Sequence, residues 1–292
     1  MITLDDGVRL HCQQLGSGYR IVLIPNGFHL LQELKFLAAS ATLVFYDVRN
    51  RGRSDAVTEP AKLAGGILQD VQDLDAVRRH FGRDRVDLIG HSYIGRLAAL
   101  YAMEYPERAG RAVLLSPIQP DPAKQYPPHL MYADATMTEV TSRIAVMRKE
   151  PPAGNPEEIC RNFWRVLRLI YVTNPEDAER IDWGRCDLEN ERRFGTYWMG
   201  HLWPSIQKLR LGDENFAKAM NPVLVVHGTK DRSAPYGGAR DWALRLPNAR
   251  LVTVPGAGHA LWIESPEIVF NSIAMFLEGA WPQAAKEVQV VD

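Results

Sequence analysis

A serine enclosed by glycines stands at residues 88–95, LIGHSYIG, directly after an apolar run. Glycine has no Cβ and lets neighbouring backbone approach closely, so a strand that turns sharply into a helix would hold Ser92 at the tip of the turn. A hydroxyl exposed in this way can act as a nucleophile, but serine also occurs in ordinary turns as a helix cap. The rest of the chain has to separate these two interpretations.

A serine hydroxyl is a weak nucleophile, so it needs a base, and the base needs an acid that orients it. Asp231 lies in HGTKDRSAP and His259 lies in PGAGHALW, and each motif follows an apolar, strand-like run. In a parallel sheet, the carboxyl ends of successive strands meet at one edge. We therefore expect Ser92, Asp231 and His259 to converge there. Asp121, in PIQPD after another apolar run, is an alternative acid.

The elements that would position these residues form an alternating pattern of apolar strands and helices. Strand-like runs cover residues 20–25, 42–47, 85–90, 111–116, 221–228 and 249–256, and helical patterns cover about 30–39, 66–81, 95–105, 237–246 and 266–278. Continuous apolar strands separated by helices are typical of a parallel sheet that is covered on both faces.

The two ends of this pattern have their own signals. A small antiparallel pair is predicted at residues 2–4 and 8–15, with a turn at 5–7. Ser265 before Pro266 predicts an N-cap for the last helix. The tail after Trp281 is expected to be poorly ordered or lightly docked.

The alternation is interrupted between about residues 117 and 213, where prolines and helical patterns occur without a convincing strand. We interpret the chain as a discontinuous core, residues 1–117 and 214–292, with a helical cap inserted at 118–213. Two or three of the eight aromatic side chains in this insertion are expected to line a pocket. They are Phe163, Trp164, Tyr171, Trp183, Phe194, Tyr197, Trp198 and Trp203.

Three motifs together resemble the serine-nucleophile branch of the α/β-hydrolase superfamily, in which nucleophile, acid and histidine follow one another along the chain. GHSYIG resembles the nucleophile elbow, with Gly95 one place later than in the strict form, and HGTKDRSAP and PGAGHALWIESPE resemble the acid and histidine loops. The resemblance covers both core segments but not the insertion. It implies an α/β-hydrolase fold: a mostly parallel central sheet, helices on both faces and an inserted helical cap.

The resemblance also implies roles for individual residues. Ser92 would be the nucleophile, His259 the base and Asp231 the acid that orients it. The oxyanion hole would use the backbone N–H of Tyr93 and that of a residue in the PNGFH loop, where we favour Phe28.

Gly27 is the alternative oxyanion donor in that loop. Asn26 departs from the family pattern, because the family usually has histidine at this position. An asparagine can still anchor the loop through hydrogen bonds to nearby backbone. Asn50, where family members often have glycine, is a conservative departure because asparagine tolerates left-handed backbone.

The function predicted from these residues is hydrolysis of a small carboxylic ester through an acyl-enzyme intermediate. An aminopeptidase of the proline-iminopeptidase type is an alternative, and Glu189, Glu191 and Glu214 are the candidates for binding its substrate's amine. A hydrolase of carbon–carbon bonds and a ligand-binding receptor on a hydrolase scaffold are further alternatives. Relatives that attack with an aspartate are excluded, since position 92 is serine.

Substrate contacts are the least specific part of the prediction. The candidates are His29, Tyr197, Trp198, Trp203 and Trp262. Among the other histidines, His91 is expected to pack between helix and sheet, and His227 is expected to be buried at a strand end.

Composition limits the class of partner. A formal net charge of −1 argues against a nucleic-acid-binding protein. No apolar run approaches the ~20 residues of a membrane span, and the N-terminus does not follow the pattern of a signal peptide. The partner is therefore expected to be a small-molecule substrate, and the protein a cytoplasmic monomer or homodimer.

Cysteine and glycine patterns limit the cofactors. Cys12, Cys160 and Cys186 are scattered and odd in number, which predicts reduced thiols rather than a disulfide framework. None has metal-ligand spacing to a partner. The dinucleotide-binding pattern of glycines is absent after the first strands. We therefore expect neither a metal nor an organic cofactor.

Overall fold

The computed structural model describes residues 1–150 and 154–289, and its backbone alternates strands with helices. The strands are β1 (Ile2–Thr3), β2 (Arg9–Leu10), β3 (Cys12–Leu15), β4 (Ile21–Pro25), β5 (Thr42–Tyr46), β6 (Val86–His91), β7 (Ala109–Leu115), β8 (Val223–Gly228), β9 (Ala249–Val254) and β10 (Ala285–Lys286).

The α-helices include several single turns. They are α1 (Leu31–Leu34), α2 (Pro60–Leu63), α3 (Ile67–His80), α4 (Tyr93–Glu104), α5 (Ala135–Lys149), α6 (Pro156–Leu167), α7 (Glu189–Tyr197), α8 (Trp203–Lys208), α9 (Asp213–Phe216), α10 (Tyr236–Arg245), α11 (Leu261–Glu264) and α12 (Pro266–Leu277).

One eight-stranded sheet, in the order β3-β5-β4-β6-β7-β8-β9-β10, forms the centre of the molecule. The six central strands, which are β5, β4, β6, β7, β8 and β9 in sheet order, pair in parallel. The edge strands β3 and β10 pair antiparallel to their neighbours. This confirms the predicted mostly parallel sheet and all six of its predicted central strands. The carboxyl ends of β6, β8 and β9 consequently open on the same edge.

Both faces of the sheet are covered, which explains the continuous apolar runs. In β4, Ile21 and Leu23 pack in the hydrophobic core on one face, and Val22 and Ile24 pack in the core on the other. Alternate residues of a strand point to opposite faces, so a strand buried on both sides needs apolar residues throughout. Helices α3, α4 and α10 cover the first face, and α12 covers the second.

The predicted antiparallel pair at the N-terminus is only partly correct. β1 pairs with β2, as expected, but the predicted strand at 8–15 divides into two. Its second half, β3, pairs with β5 and becomes an edge of the main sheet. The sequence gives no local signal for this change of partner, because pairing with β5 is a long-range contact.

The other end of the chain is more ordered than predicted. Ala285 in β10 pairs with Val252 in β9 and is buried, so residues 285–286 form an edge strand of the main sheet. The expectation of a poorly ordered or lightly docked tail is therefore wrong for this stretch. Residues 290–292 lie outside the described residues.

Two predicted helices differ in detail from the observed ones. The predicted helix at 30–39 is a series of short turns, in which α1 is flanked by 3₁₀ segments at Phe28–Leu30 and Lys35–Ala39. Ser265 occupies the position before α12 and Pro266 is its first residue, but the Ser265 side chain makes no capping hydrogen bond. The proline marks this helix start correctly, and the hydroxyl does not contribute.

Between β7 and β8, the described residues form helices, turns and loops but no strand, as the sequence predicts. We refer to residues 118–213 as the helical segment. None of the helices in the described part of the chain is both long and apolar enough to cross a bilayer.

The helical segment contains a disulfide, which corrects the prediction of reduced thiols. Cys160 in α6 bonds to Cys186 in the loop before α7, across a sequence separation of 26, and Cys12 is free. The two cysteines are distant in sequence, and only the return of the chain from α6 to α7 brings their Cα atoms to 5.7 Å. Spacing along the chain does not reveal such a pairing.

We expect Leu23→Ala to lower the free energy of unfolding by about 2–5 kcal/mol, because truncation of a fully buried leucine leaves a cavity in the core. Leu23 is 0% exposed in β4, whereas Leu244 on α10 is 41% exposed. The matched control Leu244→Ala should change this free energy by no more than about 0.5 kcal/mol. Urea denaturation measures both, and equal losses would contradict the assignment of the core.

Candidate active site

Ser92 occupies the turn between β6 and α4, with φ +59° and ψ −122°. A positive φ is uncommon for a residue with a Cβ and persists only where the surroundings hold it. The Ser92 N–H donates to the Leu115 carbonyl oxygen (2.9 Å), and the Ser92 carbonyl accepts from the Ile118 N–H (3.2 Å). The β7 strand and its following loop therefore hold the backbone of this turn.

The neighbouring glycines are required by the same turn. A Cβ on Gly90 would lie 2.3 Å from the backbone oxygen of Ile94, closer than two such atoms can approach. A Cβ on Gly95 would lie 3.1 Å from the Gly90 oxygen and from Pro117, which is tight but less severe. The close strand-to-helix approach thus explains why glycines flank the serine.

Asp231 and His259 lie in the loops after β8 and β9, and the structure brings them together. The His259 Nδ1–H donates to Asp231 Oδ2 at 2.7 Å, and both side chains are buried. Burial raises the pKa of Asp231, but contact with His259 and with other donors lowers it by more, so the net pKa is below its usual value. An ionised carboxylate only accepts hydrogen bonds, so the proton of neutral His259 is on Nδ1 and Nε2 is the free acceptor.

Backbone and a second histidine complete the surroundings of Asp231. Its Oδ1 accepts from the N–H groups of Ser233 (2.7 Å) and Ala234 (2.8 Å). His227 Nε2 donates to the Ala234 carbonyl at 3.1 Å and lies 3.3 Å from Asp231 Oδ2. Burial lowers the pKa of His227, which is fully buried as the sequence predicts. Its contact with Asp231 is not visible from its place at a strand end.

His91 lies in the site, contrary to the expectation that it packs only between helix and sheet. Its Nε2 donates to the backbone carbonyl of His259 at 3.2 Å, and the two rings lie 4.6 Å apart. Burial, together with the neighbouring histidines, lowers the pKa of His91 well below its ordinary value. His91 is therefore a neutral donor that supports the His259 loop.

A cavity of about 1030 Å³ opens above these residues, and Ser92, His91 and His259 line it. The helical segment supplies much of its wall, with apolar side chains from α5, α6 and α7. Apolar pockets with a few polar groups are typical of small-molecule sites. Within the described residues, no group of three histidine, cysteine or acidic side chains is arranged to hold a metal ion.

The loop after β4 is anchored by Asn26, which has φ +48°. Its side-chain oxygen accepts from the Val48 N–H at 3.0 Å, and its amide nitrogen donates to the Tyr93 hydroxyl at 2.6 Å. Asn26 thus makes the backbone contact expected for it and also joins this loop to the residue after Ser92.

The two candidate oxyanion donors of this loop differ in availability. The Gly27 N–H donates to the Ile24 carbonyl at 3.3 Å and is already used. The Phe28 side chain stacks on His11, at 5.4 Å between centroids, and Phe28 is not among the residues that line the main cavity, whereas Gly27 is. The role of the Phe28 N–H as an oxyanion donor therefore stays a prediction.

Comparison with known proteins agrees with this architecture. The model of the Alpha/beta hydrolase family matches residues 21–272, which is most of the chain. The chain belongs to the α/β-hydrolase family. Since its sheet also has the expected topology, the resemblance seen in the three motifs is confirmed at the level of family and fold, and the chain is a hydrolase of this fold.

Three of the individual proteins that resemble the chain are 18–32% identical to it. The chain is 32% identical over 252 residues to a (Lyso)-N-acylphosphatidylethanolamine lipase of Mus musculus, covering 81% of this chain and 71% of that protein. It is 26% identical to a poly(3-hydroxyalkanoate) depolymerase of Ectopseudomonas oleovorans, covering 88% of this chain and 84% of that protein. An esterase structure from Exiguobacterium antarcticum superposes with a TM-score of 0.71 at 18% identity, covering 95% and 98%.

In this α/β-hydrolase, the substrate-contact candidates divide into two groups. His29, Trp198 and Trp203 line the main cavity, and their contact with a substrate stays a prediction. Tyr197 and Trp262 do not line it. Tyr197 is buried in the hydrophobic core, since adjacent residues of α7 and the following π-helical turn face different directions. Trp262 packs against His29 and His91 and lines a second, smaller cavity of about 240 Å³.

The aromatic side chains of the helical segment contribute more than expected. All of the eight except Tyr197 line the cavity, where two or three were predicted. Residues as distant in sequence as Phe163 and Trp183 face the same space as Trp198 and Trp203. Only the arrangement of the helices relative to the sheet could have shown this.

The acidic residues considered for amine binding are not available for it. Glu189 pairs with Arg193 on the surface, and Glu214 is exposed on α9. Glu191 does line the cavity, but its carboxylate is bonded to Arg51.

The alternative acid, Asp121, lies on the surface side of its loop. It is not one of the residues that line the cavity, and its Oδ1 accepts from the Ala123 N–H within its own turn. Its place after β7 therefore gives it a local capping contact.

An ion pair beside Asp231 joins the acid loop to the helical segment. Arg232 contacts Asp134 through two hydrogen bonds, at 2.8 and 2.5 Å, and donates to the Val172 carbonyl at 2.6 Å. Asp134 also caps α5, accepting from the Met137 N–H. Hydrogen bonds from Arg232 lower the pKa of Asp134 to about 2.

We expect Gly90→Ala to lower the melting temperature sharply or to prevent folding, because the new Cβ meets backbone at 2.3 Å. Gly195→Ala is the matched control. A Cβ at Gly195 meets nothing within 4 Å in the middle of α7, so alanine should preserve or raise stability by up to about 1 kcal/mol. A Gly90→Ala protein as stable as Gly195→Ala would contradict the described turn.

We expect Asp134→Asn to lower the melting temperature by about 1–2 °C near neutral pH, a small effect because the pair is partly exposed. Asparagine keeps the ability to cap α5 and removes only the charge. The folded-state pKa of about 2 lies below the unfolded one, so the charged form stabilises the fold above about pH 4. The difference from wild type should shrink as the pH falls from 4 towards 2. A difference that does not depend on pH would exclude a charge effect.

Proposed function

We propose that the protein is a serine hydrolase that cleaves carboxylic esters through an acyl-enzyme. The observation that carries this proposal is the buried hydrogen bond between His259 Nδ1 and Asp231 Oδ2, at 2.7 Å, beside the cavity that Ser92 also lines. An oriented imidazole with a free Nε2 is what a serine hydroxyl needs to become a nucleophile.

In the proposed reaction, the Ser92 hydroxyl oxygen attacks the ester carbonyl carbon while His259 Nε2 takes its proton. The N–H groups of Phe28 and Tyr93 stabilise the negative charge on the carbonyl oxygen. His259 then gives the proton to the departing alcohol. A water molecule, deprotonated by His259, then attacks the acyl carbon. The bond from this carbon to the Ser92 oxygen breaks, His259 returns the proton to Ser92, and the acid is released.

The proposed division of labour follows the chain. Residues 1–117 and 214–292 form the catalytic core, and residues 118–213 form a cap that supplies apolar surface to the substrate. The seven cap aromatics that line the cavity support an uncharged, apolar acyl or alcohol group. The names of three relatives, a lipase, a depolymerase and an esterase, also support ester cleavage over amide cleavage.

We expect Ser92→Ala to lower kcat/KM for aryl esters by at least about a thousandfold, because the covalent intermediate can no longer form. A fluorophosphonate probe should label wild-type Ser92, located by peptide mapping. Ser233→Ala is the matched control, since Ser233 also lines the cavity, and it should keep the label and most of the turnover.

Labelling at Ser233, or a Ser92→Ala variant with most of its activity, would exclude Ser92 as the nucleophile. A parallel panel of aminoacyl arylamides tests the reaction class. Preferred cleavage of N-terminal prolyl amides would replace the esterase proposal by an aminopeptidase. A wild-type protein with neither label nor turnover would favour a ligand-binding receptor.

A further inference from the structure

A buried ion pair crosses the cavity wall between the core and the helical segment. Arg51, in the loop after β5, donates to Glu191 of α7 through Nε (2.9 Å) and Nη2 (3.2 Å). The Gly52 N–H donates to the same carboxylate at 2.9 Å. The guanidinium also lies 3.8 Å from the centre of the Phe194 ring. Both charged side chains line the cavity.

These two residues carry the buried charge of the described cavity wall. Arg148 is exposed, and Arg192 directs Nη1 to the carbonyl oxygens of Cys186 and Asp187. The side chains of Arg51 and Glu191 are only 12% and 6% exposed.

Both members of the pair are ionised near neutral pH. Burial lowers the pKa of Arg51, but Glu191, Tyr93 and Asp47 together raise it by more. Burial raises the pKa of Glu191, but Arg51 and the Gly52 N–H together lower it by more. The buried pair therefore has no net charge, although it contains a guanidinium.

The pairing decides what the guanidinium can bind. An arginine in an apolar cavity would normally attract a carboxylate, since guanidinium and carboxylate form paired hydrogen bonds. Here Glu191 already occupies that side of Arg51. A substrate carboxylate would lose its water, find Nε and Nη2 of Arg51 already engaged by Glu191 and meet a second negative charge. An uncharged ester of the same shape meets none of these costs.

We propose that Glu191 masks Arg51 and thereby makes the cavity selective for uncharged over anionic substrates. Glu191 is thus a specificity-determining residue, and its removal should convert the wall into a carboxylate-binding surface. This proposal rests on the ester hydrolysis proposed above, and it adds the charge of the substrate.

The test compares two esters of equal shape: 4-nitrophenyl 4-methylpentanoate, which is neutral, and the 4-nitrophenyl half-ester of succinate, which is anionic. The variant is Glu191→Gln, which keeps the size of the side chain. Glu189→Gln is the matched control, because it makes the same charge change on the same helix at an exposed pair with Arg193.

We expect wild type to prefer the neutral ester. In Glu191→Gln, the ratio of kcat/KM for the anionic ester to that for the neutral ester should rise at least about tenfold, and in Glu189→Gln it should stay near the wild-type value. The rise should weaken with added salt. A folded Glu191→Gln protein with the wild-type ratio would overturn the proposal.

Two further variants show whether a change in this ratio comes from charge, from the shape of the cavity or from a failure to fold. Arg51→Gln combined with Glu191→Gln removes both charges of the pair and so restores the net charge that the wall has in wild type; its ratio should therefore return to within about threefold of wild type. Acceptance of the anionic ester by this double variant would also overturn the proposal, because space and not charge would then be responsible. If Glu191→Gln does not fold, Glu191→Ala carries the same expectation, since water can solvate Arg51 in the space that it opens.

A binding measurement keeps this test independent of catalysis. In the Ser92→Ala background, tryptophan fluorescence can follow binding of methyl 4-methylpentanoate and of monomethyl succinate, because Trp183, Trp198 and Trp203 line the cavity. Glu191→Gln should strengthen binding of the succinate at least about tenfold relative to the neutral ester. If wild type hydrolyses neither ester, the proposed function fails, and this binding ratio still decides the role of Glu191.

Discussion

The burial of a negative charge at Asp231 is the constraint on which the site depends. A carboxylate without solvent is unfavourable unless donors surround it. Here these donors are His259 and two backbone N–H groups, and the buried His227 ring lies 3.3 Å away. Their geometry is fixed by the ends of β8 and β9, so the loops can hold the charge only while the sheet is intact. The orientation of His259 therefore depends on the folded core and not only on its own loop.

The parallel sheet has a similar effect on Ser92. Its backbone conformation is unfavourable in isolation, and hydrogen bonds to the chain around the end of β7 maintain it. Two ion pairs, Arg232–Asp134 and Arg51–Glu191, connect core loops to the helical segment. The site therefore combines an edge of sheet with a wall that ion pairs and apolar packing, such as that of Tyr197 and Val172, hold against the core.

Sequence reasoning predicted the parts of the molecule that local chemistry determines. Apolar runs gave the six central strands, and three short motifs selected Ser92, Asp231 and His259, two of which the structure shows in direct contact. It failed where long-range packing decides. Nothing near β3 shows that it pairs with β5, nothing near Tyr197 shows that it faces the core, and Arg51 and Glu191 are 140 residues apart in sequence.

The Cys160–Cys186 bond has a consequence for any measurement of stability. It closes a loop across a sequence separation of 26, which reduces the chain entropy of the unfolded state by an amount worth about 3.5 kcal/mol at 25 °C in the simplest polymer treatment. Oxidised and thiol-treated samples consequently have different reference states. Unfolding curves recorded with and without a reducing agent therefore belong to two separate thermodynamic series.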